Sequence, residues 1–122
     1  METMRQRILV VDDDREIVNV IVEPLNDAGY QARWATNGVK AVRAVADQRL
    51  ALLLLDVRLP VMDCVEASQA IRQHHPTLPI VLVTATPSDG RDLIAARQAD
   101  DLVTKPFSLD LLLDTLEQLM PA

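Results

Sequence analysis

Five polar side chains stand where short apolar runs of the sequence end. They are Asp12, Asp13, Asp56, Thr84 and Lys105. Carboxylates packed together repel, by about 3 kcal/mol for a pair at ~5 Å and an effective dielectric of ~20. A divalent cation removes that cost, and a set of carboxylate oxygens favours Mg²⁺. A carboxylate beside Mg²⁺ can attack phosphorus and form an acyl phosphate, while an ammonium and a hydroxyl stabilise the phosphoryl oxygens. This chemistry requires that the five side chains meet.

Asp56 follows four consecutive leucines, Leu52 to Leu55. So short and so apolar a run predicts a central strand buried on both faces, as in a parallel sheet. Asp56 then lies at the carboxyl end of that strand, where an open α/β sheet binds its ligands. Pro60 ends strand pairing and stiffens the loop that follows. An aspartate that merely caps or turns the chain would give the same local pattern, so the other elements must decide.

Strands and helices alternate along the whole chain. Strands are predicted over 8–11, 30–34, 52–55, 79–84 and 102–104, and helices from 14 to about 29, from 39 to about 49, over 65–74, over 91–98 and over 109–120. Asp14 is a candidate N-cap, Gly29 suits the end of the first helix, and Pro24 should kink that helix or end it early. The second strand is less apolar, which predicts a place near an edge. Five β-α units force right-handed crossovers and a parallel sheet with helices on both faces.

The common order of a doubly wound five-stranded sheet is 2-1-3-4-5. In that order strands 1, 3, 4 and 5 are neighbours, and their carboxyl ends carry the five polar residues. We therefore expect side chains spread over nearly the whole sequence to converge on one edge of the sheet.

Composition excludes several functions. We expect one domain over residues 1–122, with a core at about 7–120, and the net charge of −6 argues against direct nucleic-acid binding. Cys64 is the one cysteine, and His74 and His75 share a predicted helix end, so zinc is not favoured. No signal peptide and no membrane-length apolar run is seen, and we expect a cytoplasmic protein without a membrane segment.

The acidic run at 12–14, the Asp56-x-x-x-Pro60 loop, Thr84-Ala85 and Lys105-Pro106-Phe107 together resemble the receiver domain of two-component response regulators. Each motif alone is weak, but the full set in order and at the right spacings is specific. The resemblance covers the chain from Ile8 to Leu119. It implies a flavodoxin-like (βα)5 fold, a phosphorelay role, and a histidine kinase or histidine phosphotransfer protein as the donor.

The resemblance also implies residue roles. Asp56 would be the phosphoacceptor, assisting its own phosphorylation and dephosphorylation without being an enzyme toward other substrates. Asp12, Asp13 and Asp56 would bind Mg²⁺ with the backbone carbonyl of Arg58, while Thr84 and Lys105 would contact the phosphoryl group. Phosphorylation would change the face built from the predicted fourth helix, strand 5 and the last helix, and so control a partner or homodimer formation.

The chain departs from the family pattern at several positions. Cys64 stands where the family usually has glycine, Leu102 where it often has an aromatic residue, and Gln98 where glycine is common. The segment from Thr84 to Lys105 is one residue shorter than usual. These departures concern how the signal leaves the site rather than the acceptor chemistry.

Two other classes of function remain open from the sequence. A haloacid-dehalogenase-like phosphatase also uses an aspartate after a strand, but it needs a second acid two residues later, where this chain has Arg58. A receiver-like interaction module that is never phosphorylated would share the fold without the chemistry.

Overall fold

The computed structural model describes residues 6–47, 49–57, 64–85 and 99–120. Within these ranges the chain forms five strands and four helices. They are β1 (Arg7–Val11), α1 (Arg15–Asp27), β2 (Gln31–Ala35), α2 (Gly38–Asp47), β3 (Leu52–Asp56), α3 (Cys64–His74), β4 (Ile80–Thr84), β5 (Asp101–Thr104) and α4 (Leu109–Leu119). The helix predicted over 91–98 lies outside the described residues.

The five strands form one parallel sheet in the order β2-β1-β3-β4-β5, as predicted. Every residue of β3 and of β4 is buried, because both strands lie inside the sheet and are covered on both faces. β2, the less apolar strand, forms an edge of the sheet. The predicted α/β doubly wound fold is therefore confirmed.

Alternate residues of the central strands point into two separate cores. Val10 and Leu54 pack on one face with Ile21 of α1 and Leu112 of α4. On the other face, Leu53 and Leu55 pack with side chains of α2 and α3, among them Val45 and Ile71. Because side chains alternate along a strand, the uninterrupted leucine run serves both cores at once. This packing fixes the height at which each strand ends.

The first helix begins as predicted and ends slightly differently. Asp14 caps α1, its side chain accepting a hydrogen bond from the backbone N–H of Glu16 at 2.9 Å. The helix runs past Pro24 to Asp27, so the predicted early end is wrong. Ala28, which continues the helical spacing of the apolar residues of α1, is exposed because it already lies beyond the last helical residue. Gly29 follows with φ of 100°, a left-handed conformation that glycine adopts without strain.

Along the described parts of the chain, no helix has both the length and the apolar character needed to cross a membrane.

Candidate functional site

Three carboxylates meet at the carboxyl edge of the sheet. Asp56 is the last residue of β3 and is 7% exposed, and Asp12, directly after β1, is 2% exposed. Val11 pairs with Leu55 in the sheet, so Asp12 and Asp56 extend from neighbouring strands at the same height. Asp13 beside them is exposed, and one carboxylate oxygen from each residue lies within 4.8 Å of the others. The convergence expected from strand order is thus present for the three acids.

Lys105 supplies positive charge to this cluster. Its Nζ lies 2.9 Å from Oδ2 of Asp12 and 3.9 Å from Oδ1 of Asp56. Its backbone N–H donates to the carbonyl of Thr84 at 2.7 Å, which ties the loop after β5 to the end of β4. The Lys105–Pro106 peptide bond is cis. The ammonium therefore reaches two of the acids from the far side of the sheet.

The backbone around Asp12 fixes the direction of its side chain. Oδ1 of Asp12 accepts a hydrogen bond from the N–H of Asp14 at 3.0 Å, while its own N–H donates to the carbonyl of Ala35 at 3.2 Å. Oδ2 is left to face Lys105. Because the next residues start α1 under the Asp14 cap, the turn that carries the acidic pair is held at both ends.

Thr84 ends β4 at the same edge. It is 2% exposed, and it stands one residue beyond Val83, which pairs with Asp56 on the neighbouring strand. On its other side it pairs with Thr104 of β5, directly before Lys105. The sheet therefore places the hydroxyl residue between the strand that carries Asp56 and the strand that precedes Lys105.

The sequence also singled out Arg58, Leu102 and Cys64. Arg58, whose carbonyl was predicted as a metal ligand, lies outside the described residues, as do Pro60 and Gln98. Leu102, at the position where the family often has an aromatic ring, is half-buried and packs against the core on the α2 and α3 face. Cys64 is the first residue of α3.

The donor chemistry of the cluster suits Mg²⁺. Three carboxylates from two adjacent loops and strands offer oxygen ligands within one ion's reach, and one of them, Asp13, is open to solvent. Mg²⁺ prefers oxygen donors and keeps several waters, so a half-open carboxylate site fits it better than a closed cage would. The residues present therefore fit the metal that the resemblance implies.

Comparison with known proteins identifies the class that this fold and site define. The family model of the response regulator receiver domain matches residues 8–117. The chain belongs to the response regulator receiver domain family, which confirms the resemblance seen in the sequence.

Individual relatives agree with this assignment. The chain is 37% identical over 123 residues to the response regulator MprA of Mycobacterium ulcerans, covering 96% of this chain and 51% of MprA. It is 38% identical over 109 residues to the DNA-binding response regulator MtrA of Mycobacterium tuberculosis, covering 88% of this chain and 47% of MtrA. The chain thus spans about half the length of the curated relatives it matches.

Solved structures share the fold closely. The chemotaxis protein CheY4 of Vibrio cholerae matches with a TM-score of 0.88 and 29% identity, covering 96% of this chain and 100% of CheY4. The receiver domain of sensor histidine kinase PA1611 of Pseudomonas aeruginosa, which has a magnesium ion coordinated in its active-site cleft, matches with a TM-score of 0.87 and 32% identity over 95% of this chain and 98% of that domain. TrrA of Thermotoga maritima, solved with Mg²⁺ and BeF, matches with a TM-score of 0.85 and 32% identity over 94% of this chain and 99% of TrrA.

Proposed function

We propose that this chain is a phosphoacceptor signalling domain in which Asp56 receives a phosphoryl group in a Mg²⁺-dependent reaction. The observation that carries the proposal is the geometry at the carboxyl edge. One carboxylate oxygen of Asp56 lies within 4.8 Å of a carboxylate oxygen of Asp12 and of Asp13. Oδ1 of Asp56 lies 3.9 Å from the Nζ atom of Lys105. A histidine kinase or a histidine phosphotransfer protein would supply the phosphoryl group.

In the proposed reaction a carboxylate oxygen of Asp56 attacks the phosphorus of the donor. A new O–P bond forms, the bond from phosphorus to the donor's imidazole nitrogen breaks, and that nitrogen keeps the electron pair. Lys105 would neutralise charge on the phosphoryl oxygens, and the Thr84 hydroxyl would donate a hydrogen bond to one of them. Hydrolysis of the resulting acyl phosphate by water would return the carboxylate, so the domain assists both steps at its own residue.

Asp12, Asp13, Asp56 and the backbone carbonyl of Arg58 would hold the metal ion. Bound Mg²⁺ would supply positive charge that offsets repulsion between an anionic nucleophile and an anionic phosphoryl group. The salt bridge from Lys105 to Asp12 at 2.9 Å keeps the ammonium beside the acids. The magnesium recorded for the PA1611 receiver domain and for TrrA supports the same assignment here.

Phosphorylation is proposed to change the surface that contains β5 and α4 and so to transmit the signal to a binding partner. Phosphorylation adds about −1.5 to −2 charges to an already acidic site, which would draw Thr84 and the loop after it toward the phosphoryl group. Leu111 on α4 is 55% exposed and offers an apolar contact on this face. A partner protein or a second copy of the chain would bind there, and direct nucleic-acid binding by this acidic chain is not proposed.

Intact-mass spectrometry after incubation with acetyl phosphate and MgCl₂ tests the proposal. We expect the wild-type chain to gain one phosphoryl group, Asp56→Ala to gain none, and Asp13→Asn to react more slowly because a metal ligand is lost. Asp27→Asn is a matched control, since Asp27 is an exposed acid at the opposite end of α1. It should behave as wild type.

Other outcomes would favour the other classes of function. No mass gain in the wild type under any donor would leave the unphosphorylated interaction module, and modification that persists in Asp56→Ala would remove Asp56 as the acceptor. Sustained turnover of simple phosphate esters would indicate a phosphatase.

A further inference from the structure

An open cleft lies beside the acidic site, on the side away from Lys105. Its volume is about 610 Å³, and it is lined by Asp13, Arg15, Trp34, Ala35, Thr36 and Lys40. Small-molecule sites commonly have volumes of about 300 to 1,000 Å³. The cleft shares only Asp13 with the proposed phosphoacceptor site, so it is a separate surface.

Trp34 gives the cleft a flat aromatic wall. It is the one tryptophan of a chain in which only 2% of residues are aromatic, yet it is 52% exposed instead of belonging to the core. Trp34 lies on the edge strand β2 and pairs with Val10 of β1. Val10 belongs to the core that α1 covers, so Trp34 stands on the α1 side of the sheet, level with the start of that helix at Arg15. A large aromatic ring left half in water next to a concave surface indicates a stacking surface for a ligand.

Two cations face the same cleft without being used elsewhere. Arg15 and Lys40 are both exposed, and within the described part of the chain neither side chain takes part in a hydrogen bond or ion pair. The surrounding segment from Ala28 to Ala46 contains Arg33, Lys40 and Arg43 and no acidic residue, although the chain as a whole carries a charge of −6. In the lining of the cleft two cations face the single carboxylate of Asp13, which leaves a net positive charge for an anion, although Asp14 and Glu16 flank Arg15 in the sequence.

From this combination we infer that the cleft formed by Arg15, Trp34, Thr36 and Lys40 binds a nucleoside phosphate. The base would stack on the Trp34 indole, as bases do on aromatic side chains in single-strand binding proteins. Arg15 and Lys40 would bind the phosphates, with the Thr36 hydroxyl as a further donor. An acidic peptide would use the same cations but would leave the flat indole face without a matching ring, so the nucleotide is the better fit.

Asp13 allows nucleotide binding and phosphorylation to be told apart, because its neutralisation should change them in opposite directions. Its exposed carboxylate borders the cleft and repels bound phosphate, so neutralising it should strengthen nucleotide binding while it weakens the proposed phosphorylation. Removing Arg15 or Lys40 should have the opposite effect on nucleotide binding. A loss of phosphorylation and a loss of nucleotide binding are thus separable.

Calorimetric titration of the full chain with adenosine triphosphate in the presence of EDTA tests the inference. We expect Trp34→Ala to weaken binding about tenfold, since base stacking on an aromatic side chain is lost. Trp34→Phe should retain most of the affinity because a ring remains. Arg15→Gln and Lys40→Gln should each weaken binding severalfold, and Asp13→Asn should strengthen it.

Arg49→Gln is the matched control, because Arg49 is an exposed cation that lines a different cavity at the opposite end of the sheet. Its affinity should equal that of the wild type. Asp56→Ala should also bind the nucleotide normally, and Trp34→Ala should still be phosphorylated by acetyl phosphate, which shows that it folds.

Three results would overturn the inference. The first is absence of binding heat at nucleotide concentrations on the order of 1 mM, near the weak end of specific binding. The second is equal affinity for inorganic triphosphate and for adenosine triphosphate, which would mean that the base makes no contact. The third is tighter, Trp34-dependent binding of an oligoglutamate peptide.

Discussion

The two ends of the sheet use charge in opposite ways. At the carboxyl edge, where Asp12, Asp13 and Asp56 meet, two of the carboxylates share the ammonium of Lys105 and negative charge is left in excess. At the amino edge, one carboxylate oxygen of Asp100 is paired within the fold. Its Oδ2 accepts from the backbone N–H of Ile80 and from Nη2 of Arg72, both at 2.8 Å.

The amino-edge arrangement is a structural clasp. Ile80 begins β4, Arg72 lies in the last turn of α3, and Asp100 directly precedes β5, so one carboxylate joins three elements of the fold. The N–H of Asp100 also donates to the carbonyl of Ile80 at 2.8 Å, and Arg72 donates to the carbonyl of Pro76 at 3.2 Å. Charges that pair within the fold stabilise it. The unbalanced charges at the carboxyl edge instead remain available to bind a cation and a phosphoryl group. Stability measurements can separate the two cases. Removal of an acid should lower the free energy of unfolding at the amino edge and raise it at the carboxyl edge.

The largest effect is expected at the clasp. Asp100→Ala should lower the free energy of unfolding by about 2 kcal/mol, because the backbone N–H of the buried residue Ile80 loses a charge-assisted hydrogen bond. Asp100→Asn, which keeps an acceptor oxygen, should cost less. Urea denaturation monitored by circular dichroism measures both, and equal stability of Asp100→Ala and wild type would contradict the clasp.

Magnesium should stabilise the wild-type protein through the carboxyl edge. At a concentration of ten times its Kd, a ligand specific for the folded state adds about 1.4 kcal/mol. A chain of this size should then melt at a temperature higher by about 5 °C. Asp13→Asn should show a smaller shift and Asp27→Asn the full one. Identical shifts in all three proteins would place the ion elsewhere.

Asp56→Asn should stabilise the metal-free protein by about 1 kcal/mol, because one of three mutually repelling carboxylates becomes neutral. The expected change in the free energy of unfolding has the opposite sign to that of Asp100→Asn, which is the same chemical substitution at the other edge of the sheet. Thermal melts in EDTA provide the measurement. If Asp56→Asn instead destabilised the fold, the contrast between the two edges would not hold.

The smallest effect concerns Tyr30, which precedes the edge strand β2. Burial, with a lesser contribution from the negative charge of Glu117, raises the pKa of the Tyr30 hydroxyl above its ordinary value of 10.0. Because the folded-state pKa is the higher one, the contribution of Tyr30 to stability is complete below pH 10.0 and is lost as the pH rises through the folded pKa. Tyr30→Phe should therefore lose less stability than wild type as the pH rises from about 10 through the folded-state pKa of the Tyr30 hydroxyl. Parallel denaturation curves across that range would show whether it does.

Much of the fold could be predicted from local sequence patterns. Four leucines in succession are compatible with few structures other than a doubly covered strand, and Asp14 caps its helix through a neighbour only two residues away. The predicted bounds of an element were slightly wrong where a backbone group forms its hydrogen bond with the neighbouring element. The second strand begins at Gln31 rather than Tyr30, because the Tyr30 N–H donates to the carbonyl of Leu25 and closes α1.

Exposure was harder to predict than element type. Leu109, which shares the helical spacing of the core residues Leu112 and Leu116, is 36% exposed, because it stands in the first turn of the last helix. Leu112 and Leu116, one and two turns further, are fully buried. The role of Asp100 could not be found from sequence, since its partners Ile80 and Arg72 are 20 and 28 residues away. The signal for the nucleotide cleft was present as a lone tryptophan in a polar edge strand, but nothing local indicated that Arg15 would lie beside it.

The sequence by itself determined the kinds of element, their order and the residue with which each strand ends, because apolar runs and caps act over a few neighbouring positions. It therefore fixed which polar groups would stand at the carboxyl edge. Only the tertiary structure decided that Lys105 bonds Asp12 at 2.9 Å and approaches Asp56 at 3.9 Å, and that Asp100 holds the opposite edge together. Those pairings depend on how neighbouring strands and helices pack across distances of up to 93 residues in sequence, which no local pattern encodes.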